Sequence, residues 1–437
     1  MIFAFTEYFN SLDRYLQLIK TDILGEIQWT REYYPPVNHR VFDASMAPLQ
    51  DGGYIIISDI VEVGLLTNET DIFLIRTDAS GDTRWTKFFP SVHGFRTAGI
   101  IELDNQELVI AGTWNENAGS YSDAFLWKLA PDGTLIWEII YNRGDSILIH
   151  GLDKTYDNGF ILTGRHKQSN GAYLAKIDDQ GNREWEKFIT EQGHYYSGKA
   201  ILTASDESGF VIAGQWSSGS VSRIWIAKTN NAGDLQWSNK TTGRRALGET
   251  IVEAPGNTYV LTGNLINGVN GQDLWLEKFN ENGYSLWSRL YGGGRNDRGY
   301  SLSLTMDNGF VITGETYSFP IYSGDIYFIK TSGNGLMPIE PEEDENELIP
   351  EVFHVEQNYP NPFNPTTLIR YSIARSETVL LTVYNLMGEK IQTLVNEVQP
   401  VGEYTAFFDA GNLPSGVYFY TLQAGGFSTT RKMVLMR

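Results

Sequence analysis

Cysteine is absent from this 437-residue chain, and with it go thiol catalysis, disulfide frameworks and cysteine-based zinc sites. Cations are scarce: 33 Lys and Arg face 53 Asp and Glu, a net charge of -20. That balance argues against nucleic acid or an anionic membrane surface as a partner, because both are gripped by clustered Lys and Arg. No apolar run approaches the roughly 18 to 20 residues a membrane helix needs, so the chain is not expected to span a bilayer. The six histidines are scattered and form no H-x-x-x-H pair. No G-x-S-x-G elbow occurs, and the Gly-rich "YGGGRND" (Tyr291 to Asp297) is followed by no G-K-[ST]. No metal and no cofactor is therefore expected. The opening "MIFAFTEYFNSLDRYL" also lacks the basic region and apolar core of a signal peptide. It matches the middle of the unit described next, so the chain is expected to begin partway through one.

What fills the chain instead is a repeat. "RYLQLIKTDILGEIQW" (Arg14 to Trp29) is followed by "DIFLIRTDASGDTRW" (Asp71), "DAFLWKLAPDGTLIW" (Asp123) and "GAYLAKIDDQGNREW" (Gly171). "RIWIAKTNNAGDLQW" (Arg223) and "DLWLEKFNENGYSLW" (Asp273) come next, and "DIYFIKTSGNG" (Asp325 to Gly335) ends the series without a Trp. The common text is an alternating apolar run, a basic residue, a polar turn, a Gly, and a Trp four residues later. A second signal precedes each copy after the first: a polar turn and an apolar run ending in a small residue, as in "DGGYIIIS" (Asp51), "NQELVIAG" (Asn105) and "DNGFVITG" (Asp307). Asp, Asn and Gly supply tight hairpin turns, and the β-branched runs read as strands.

Between each Trp strand and the next such turn lies one more apolar segment, for example "RTAGIIEL" (Arg96 to Leu103), making four strands per unit. The Trp residues at 29, 85, 137, 185, 237 and 287 are 48 to 56 residues apart, with no helical periodicity between them. Units of this length and content suit β-propeller blades packed face to face around an axis. The expected fold is all-β, with a propeller over 1–335. Seven blades, with the first and last short of a strand, are favoured; six remain possible if Ile27 to Tyr33 completes the last blade.

After Gly335 the composition changes. "MPIEPEEDENELIPE" (Met337 to Glu351) carries seven carboxylates and three prolines, so 336–351 reads as an extended, self-repelling linker. The remainder, 352–437, alternates apolar and polar residues in five runs: Thr367 to Ile373, Thr378 to Leu386, Gly402 to Ala410, Gly416 to Ala424 and Ser428 to Met436. That spacing predicts an immunoglobulin-like β-sandwich without a Cys pair.

"NYPNPFNPTTLIRYSI" (Asn358 to Ile373), "VYNLMGEKIQTLV" (Val383 to Val395) and "LPSGVYFYTLQAGGFSTTRKMVL" (Leu413 to Leu435) follow one another in this domain. Together they resemble the C-terminal sorting domain, of the type A kind, carried by substrates of type IX secretion. The resemblance rests on Asn358, Pro360, Asn361, Pro362, Phe363, Asn364, Pro365, Gly388, Gly416 and Tyr418. It implies export to the cell surface or the extracellular space, with an outer-membrane translocon and a sortase-like peptidase as partners. In purely physical terms the prolines keep the entry segment out of a central ladder, Gly388 and Gly416 serve turns, and Tyr418 and Tyr420 share a face.

For the propeller, Arg40, Arg96, His194, Arg245 and Arg298 are the candidate ligand-binding residues. They lie between a Trp strand and the following inner strand, as do His39, His93 and Arg244, in loops that converge near the mouth of a propeller channel. Such a cluster suits an acidic glycan or a peptide carboxylate, while the plain reading makes these residues solvated loop positions. Trp114 and Trp216 are expected to be exposed binding aromatics, because they are not matched in every unit. Turns such as "DDQGN" (Asp178 to Asn182) read as hairpin turns rather than calcium loops. The expectation is an exported binding or adhesion module for a glycan or protein ligand. The alternative is a secreted glycosidase or lyase using carboxylates at the channel mouth, where Asp43 and Glu249 lie near inner-strand starts in different blades. No catalytic residue is assigned.

Overall fold

The computed structural model describes residues 2–6, 15–22, 25–64, 70–91, 94–115, 122–141, 146–219, 221–241, 246–266, 271–293, 295–318, 325–337, 353–358, 361–399, 402–411 and 413–436. It divides into two compact units, Met1–Pro338 and Ile339–Arg437. Most of the expected acidic linker lies outside the described residues, as do His93, Arg244, Arg245 and Pro360.

Hairpin turns and alternating runs give the first unit seven antiparallel sheets among the described residues, and the unit is a β-propeller. Blade 1 consists of Ile2–Thr6, Tyr15–Thr21 and Ile27–Tyr33. Blades 2 to 6 have four strands each, and blade 7 has Asp297–Leu304, Phe310–Thr316 and Asp325–Thr331. The six-blade alternative is corrected here. Ile27–Tyr33 pairs within its own sheet, with Leu16 opposite Tyr33, and does not extend blade 7. Blade 7 meets blade 1 through side chains instead: Ile19 packs on Ile326 and Phe328, and the turn at Gly25 rests on the Phe328 ring.

The repeated residues have separate duties. Each Trp joins two blades: the Trp85 ring lies under Gly133 of blade 3, and Trp185 lies under Gly233 of blade 5. A Cβ at Gly133 or Gly233 would come within 2.9 Å or 2.7 Å of these rings, and both glycines have φ of +78°, so only Gly closes the turn onto the Trp. The repeated basic residue is an intra-blade clamp. Arg76 pairs with Asp51 at 2.8 Å and Lys128 with Glu107 at 2.7 Å, while Lys176 pairs with Asp157 and Lys330 with Asp307. Blade 6 has Pro255-Gly256-Asn257 in the corresponding turn, and Lys278 forms no ion pair among the described residues. Burial lowers its pKa. The core sits between blades, as where Ile161 and Leu174 meet Ile201, Phe210 and Trp225.

The second unit is a β-sandwich. One sheet holds His354–Val355, Thr366–Ile373 and Gly402–Asp409; the other holds Lys390–Gln399, Glu377–Tyr384, Gly416–Ala424 and Phe427–Leu435. Its core includes Phe363, Ile369, Leu381, Phe408, Tyr418 and Tyr420, all buried. Lys390–Gln399 and His354–Val355 are strands that the five apolar runs did not include.

Candidate functional site

Six innermost strands border the axis: His39–Pro48, Phe95–Glu102, Ile147–Lys154, Tyr195–Thr203, Ala246–Ala254 and Asp297–Leu304. Every one carries a one-residue bulge: in blades 3 to 7 it falls at the same place and leaves Ala98, His150, Lys199, Glu249 and Tyr300 without a partner on the second strand, while in blade 2 it falls two residues nearer the strand start and leaves Phe42 so. In blades 3 to 7 the cause is the Gly that ends the "VIAG" and "VITG" runs; blade 2 has Ser58 there, and its bulge is displaced. A Cβ at Gly164 would lie 1.9 Å from the Leu148 carbonyl oxygen, and one at Gly314 would lie 1.7 Å from that of Arg298. The inner strand fits against this missing side chain and buckles there.

Polar residues one position past that Gly, or past Ser58 in blade 2, hold the following blade. The Thr97 amide donates to Asp59, the Ile149 amide to Thr113 Oγ1 at 2.9 Å, and the Gly299 amide to Asn264 Oδ1 at 3.0 Å. Asp59 also accepts from Thr97 Oγ1 at 2.8 Å, yet burial pushes its carboxyl up to about 7. Asp43, opposite Asp59 in the ladder, is raised by burial as well.

The loops entering the inner strands and those joining second to third strands share one face of the ring. Arg40 is exposed and forms no hydrogen bond or ion pair among the described residues. Arg96 lies over the Phe42 ring at 5.5 Å. Arg298 is engaged, donating to Gln272 Oε1 at 3.1 Å with Glu315 at 3.7 Å. His194 belongs to a different cluster, where its ring stacks on Trp216 at 5.1 Å and Nε2 is 3.7 Å from Glu191.

That cluster borders an open cleft of about 690 Å³ between blades 4 and 5, lined in part by Ser169, Asn170, Glu191, Gln192, His194 and Tyr195. Arg165 lies over the Tyr195 ring at 4.4 Å and donates to Asn170 Oδ1 at 3.0 Å. Glu191 accepts from the Tyr196 hydroxyl at 2.7 Å and from Lys240 at 3.1 Å; these bonds hold its carboxyl below the usual range. The expectation for Trp216 is corrected: it is 8% exposed, held between His194 and Lys240, whose Nζ is 4.5 Å from the ring. Trp114 is half-buried and packs against the core between blades 2 and 3. In the "DDQGN" turn, Asp178 Oδ1 accepts from the amides of Gln180 and Asn182, which uses that oxygen within the turn itself.

Sequence reasoning missed Arg165, Asn170 and Tyr195, because "TGRHKQSNGAYL" reads as ordinary strand and turn. The regular position of Arg165, directly after the repeat Gly, was the available signal.

In the second unit the motif residues fasten the entry segment to the last strand. Asn358 is buried, its amide donating to the Tyr420 hydroxyl and its side chain to Thr367. Asn361 Oδ1 accepts from the Val434 amide, and buried Phe363 exchanges backbone bonds with Val434 and Met436. The Pro365 carbonyl accepts from Ala410, while Pro362 and Asn364 are exposed. Gly388 takes φ +81° in its turn; Gly416 instead opens a strand opposite Leu435. The Tyr418 hydroxyl donates to the Pro414 carbonyl at 2.8 Å.

A family model described as "Secretion system C-terminal sorting domain" matches residues 357–436. No curated protein matches the chain. Among solved structures, it is similar to a protein of unknown function from Dyadobacter fermentans, at 10% identity over 67% of this chain and 96% of that one, TM-score 0.48. It is also similar to PorZ, a surface component of the type IX secretion system of Porphyromonas gingivalis, at 11% identity over 99% of this chain and 65% of that one, TM-score 0.34. The β-propeller domain of the Trilobed protease from Pyrococcus furiosus aligns at 8% identity over 77% of this chain and 90% of that one, TM-score 0.40. At such scores these likenesses bear on no activity, and the propeller assignment rests on the seven sheets themselves. Residues 357–436 belong to the secretion system C-terminal sorting domain family, and the chain is a β-propeller protein addressed by type IX export to the cell surface or beyond it.

Proposed function

We propose that the exported propeller is a binding module rather than an enzyme, and that it takes a carboxylate-bearing glycan in the cleft between blades 4 and 5. The observation that carries this reading is the set of groups around that cleft. Tyr195 offers a ring, Ser169, Asn170 and Gln192 offer hydroxyl and amide hydrogen bonds, and Arg165 stands beside Tyr195 as a planar cation. An aromatic platform with amides and hydroxyls suits a sugar face, and a guanidinium suits a sugar carboxylate. Of the five residues expected from sequence, His194 borders the cleft, Arg40 and Arg96 supply cations on the same loop face, and Arg298 is held by Glu315. The sorting domain is read by an outer-membrane translocon and removed by a sortase-like peptidase, leaving the propeller at the surface.

Calorimetric titration with oligogalacturonides and with neutral oligosaccharides of equal length tests the site. Arg165→Met is expected to weaken the acidic ligand about tenfold and spare the neutral one, while Asn170→Ala weakens both. Wild-type affinity for both ligands in both variants would refute the assignment.

A further inference from the structure

The bulges of the six inner strands place one residue of each of blades 2 to 7 toward the axis, five of them at one level, and neither the cleft nor the sorting domain uses them. Each bulge lies mid-strand, away from both loop faces. One edge of the strand is covered by the second strand and its two faces by neighbouring blades, so the open side is the channel. Exposure agrees with this. Ile149 and Gly151 are buried while His150 between them is half-buried, and Gly198 and Gly248 are buried while Lys199 and Glu249 are half-buried. Phe42 and Tyr300 are 47% and 50% exposed. Asp43, beside Phe42, is reached by solvent yet has its carboxyl raised by burial, as expected for a group on the wall of a narrow channel.

The ring has two unlike halves. His150, Lys199 and Glu249 stand on three consecutive blades and form no hydrogen bond or ion pair among the described residues. They nevertheless act on one another. Burial, then the charges of Lys199 and Arg165, push the His150 imidazole down to about 3, so it is neutral at physiological pH. Burial raises the Glu249 carboxyl, with Lys199 opposing. A partly desolvated cation and anion that feel each other but are not joined are costly to keep without a ligand that pairs with both. The opposite half offers the Tyr300 ring and Ala98, while Phe42 lies two residues nearer the loop face, beside Asp43 and under Arg96.

We propose that this ring is a second binding site, distinct from the cleft, for a small zwitterion with an apolar body, of the free aromatic α-amino acid class. The ligand's carboxylate lies between Lys199 and the N–H of neutral His150, its ammonium faces Glu249, and its side chain rests on Tyr300. The mixed ring selects against simple anions, which meet Glu249, and against simple amines, which meet Lys199.

The test is calorimetric titration of the full chain with three probes: L-phenylalanine, 3-phenylpropanoate, which lacks the ammonium, and 2-phenylethylamine, which lacks the carboxylate. L-Phenylalanine is expected to bind at least about tenfold more tightly than either. Glu249→Gln should bring L-phenylalanine down to the level of 3-phenylpropanoate without altering the latter, and Lys199→Met should weaken both. Asn170→Ala, in the cleft, should leave all three unchanged, which separates this site from the proposed glycan site. No saturable binding of L-phenylalanine below about 10 mM, or equal affinity for the three probes, would overturn the proposal. The three-probe comparison uses the wild-type chain and so stands whatever the substitutions do to folding.

Discussion

Glu277 sits on the third strand of blade 6, opposite Leu261 on one side and Ser288 on the other, and is 7% exposed. Corresponding positions in other blades are Ile75, Trp127, Ala175 and Ala227, all buried apolar residues. Burial pushes the Glu277 carboxyl up to about 7, against a hydrogen bond from Ser285 that lowers it. In the unfolded chain the same group titrates near 4.5. The folded state therefore holds the proton more tightly, and the stabilisation linked to it is fully present below about 4.5 and lost as pH rises through about 7. At 1.36 kcal/mol for each pH unit between those values, the loss is about 3 kcal/mol. Glu277→Gln keeps the shape and a hydrogen-bonding oxygen but cannot ionise. It should match wild type to within about 1 kcal/mol at pH 4.5 and exceed it by about 3 kcal/mol at pH 8.5.

Urea unfolding followed by Trp fluorescence reads the propeller alone, because all 11 Trp residues precede position 288. The quantity of interest is the difference between variant and wild type. Other raised carboxyls, Asp59 among them, tilt both curves alike. A difference that stays constant within about 0.5 kcal/mol between pH 4.5 and 8.5 would refute the burial argument.

Trp185→Ala removes a half-buried ring that packs on Phe210 at 6.0 Å and under Gly233, and should cost about 3 kcal/mol by the same unfolding assay. Lys176→Met severs contacts with Asp157 and Glu184 and should cost about 1 kcal/mol, partly exposed carboxylates being screened. Lys278→Met removes a desolvated cation without an ion-pair partner among the described residues and should be neutral or stabilising. Equal losses at the two lysines would contradict the clamp. Deleting 357–436 should trap the propeller inside the envelope of a type IX secreting host, as read by surface proteolysis; unchanged surface delivery would contradict the sorting role.

The repeat was legible because each blade restates its own turn chemistry, and blade number followed from counting strands. The sandwich was only partly legible. Lys390–Gln399 pairs with its neighbour through two register irregularities, so its apolar residues do not alternate evenly. The inner-strand bulges depend on the relation of two strands: "VIAG" shows a Gly, but its consequence appears only on the partner that bends around it. For the same reason Trp216 reads as a lone exposed aromatic until His194 and Lys240, from elsewhere in the chain, are found on its faces. The basic residue of each copy, written beside the strand, gave no hint that its acid lies in the preceding hairpin turn.

The seam between the first and last blades has a bearing on how the ring assembles. Ladder hydrogen bonds in the propeller are made within sheets, between strands that follow one another in the chain. Contacts such as Ile19 with Phe328 are the exception, joining residues more than 300 positions apart by packing alone. Such a chain can acquire its blades as a linear array, each with low contact order, and pay the entropy of closing the large loop once, at the end. Amide exchange should accordingly be fastest beside Phe328 and slowest in blades 4 and 5, so the circle behaves as a clasped chain whose clasp opens first.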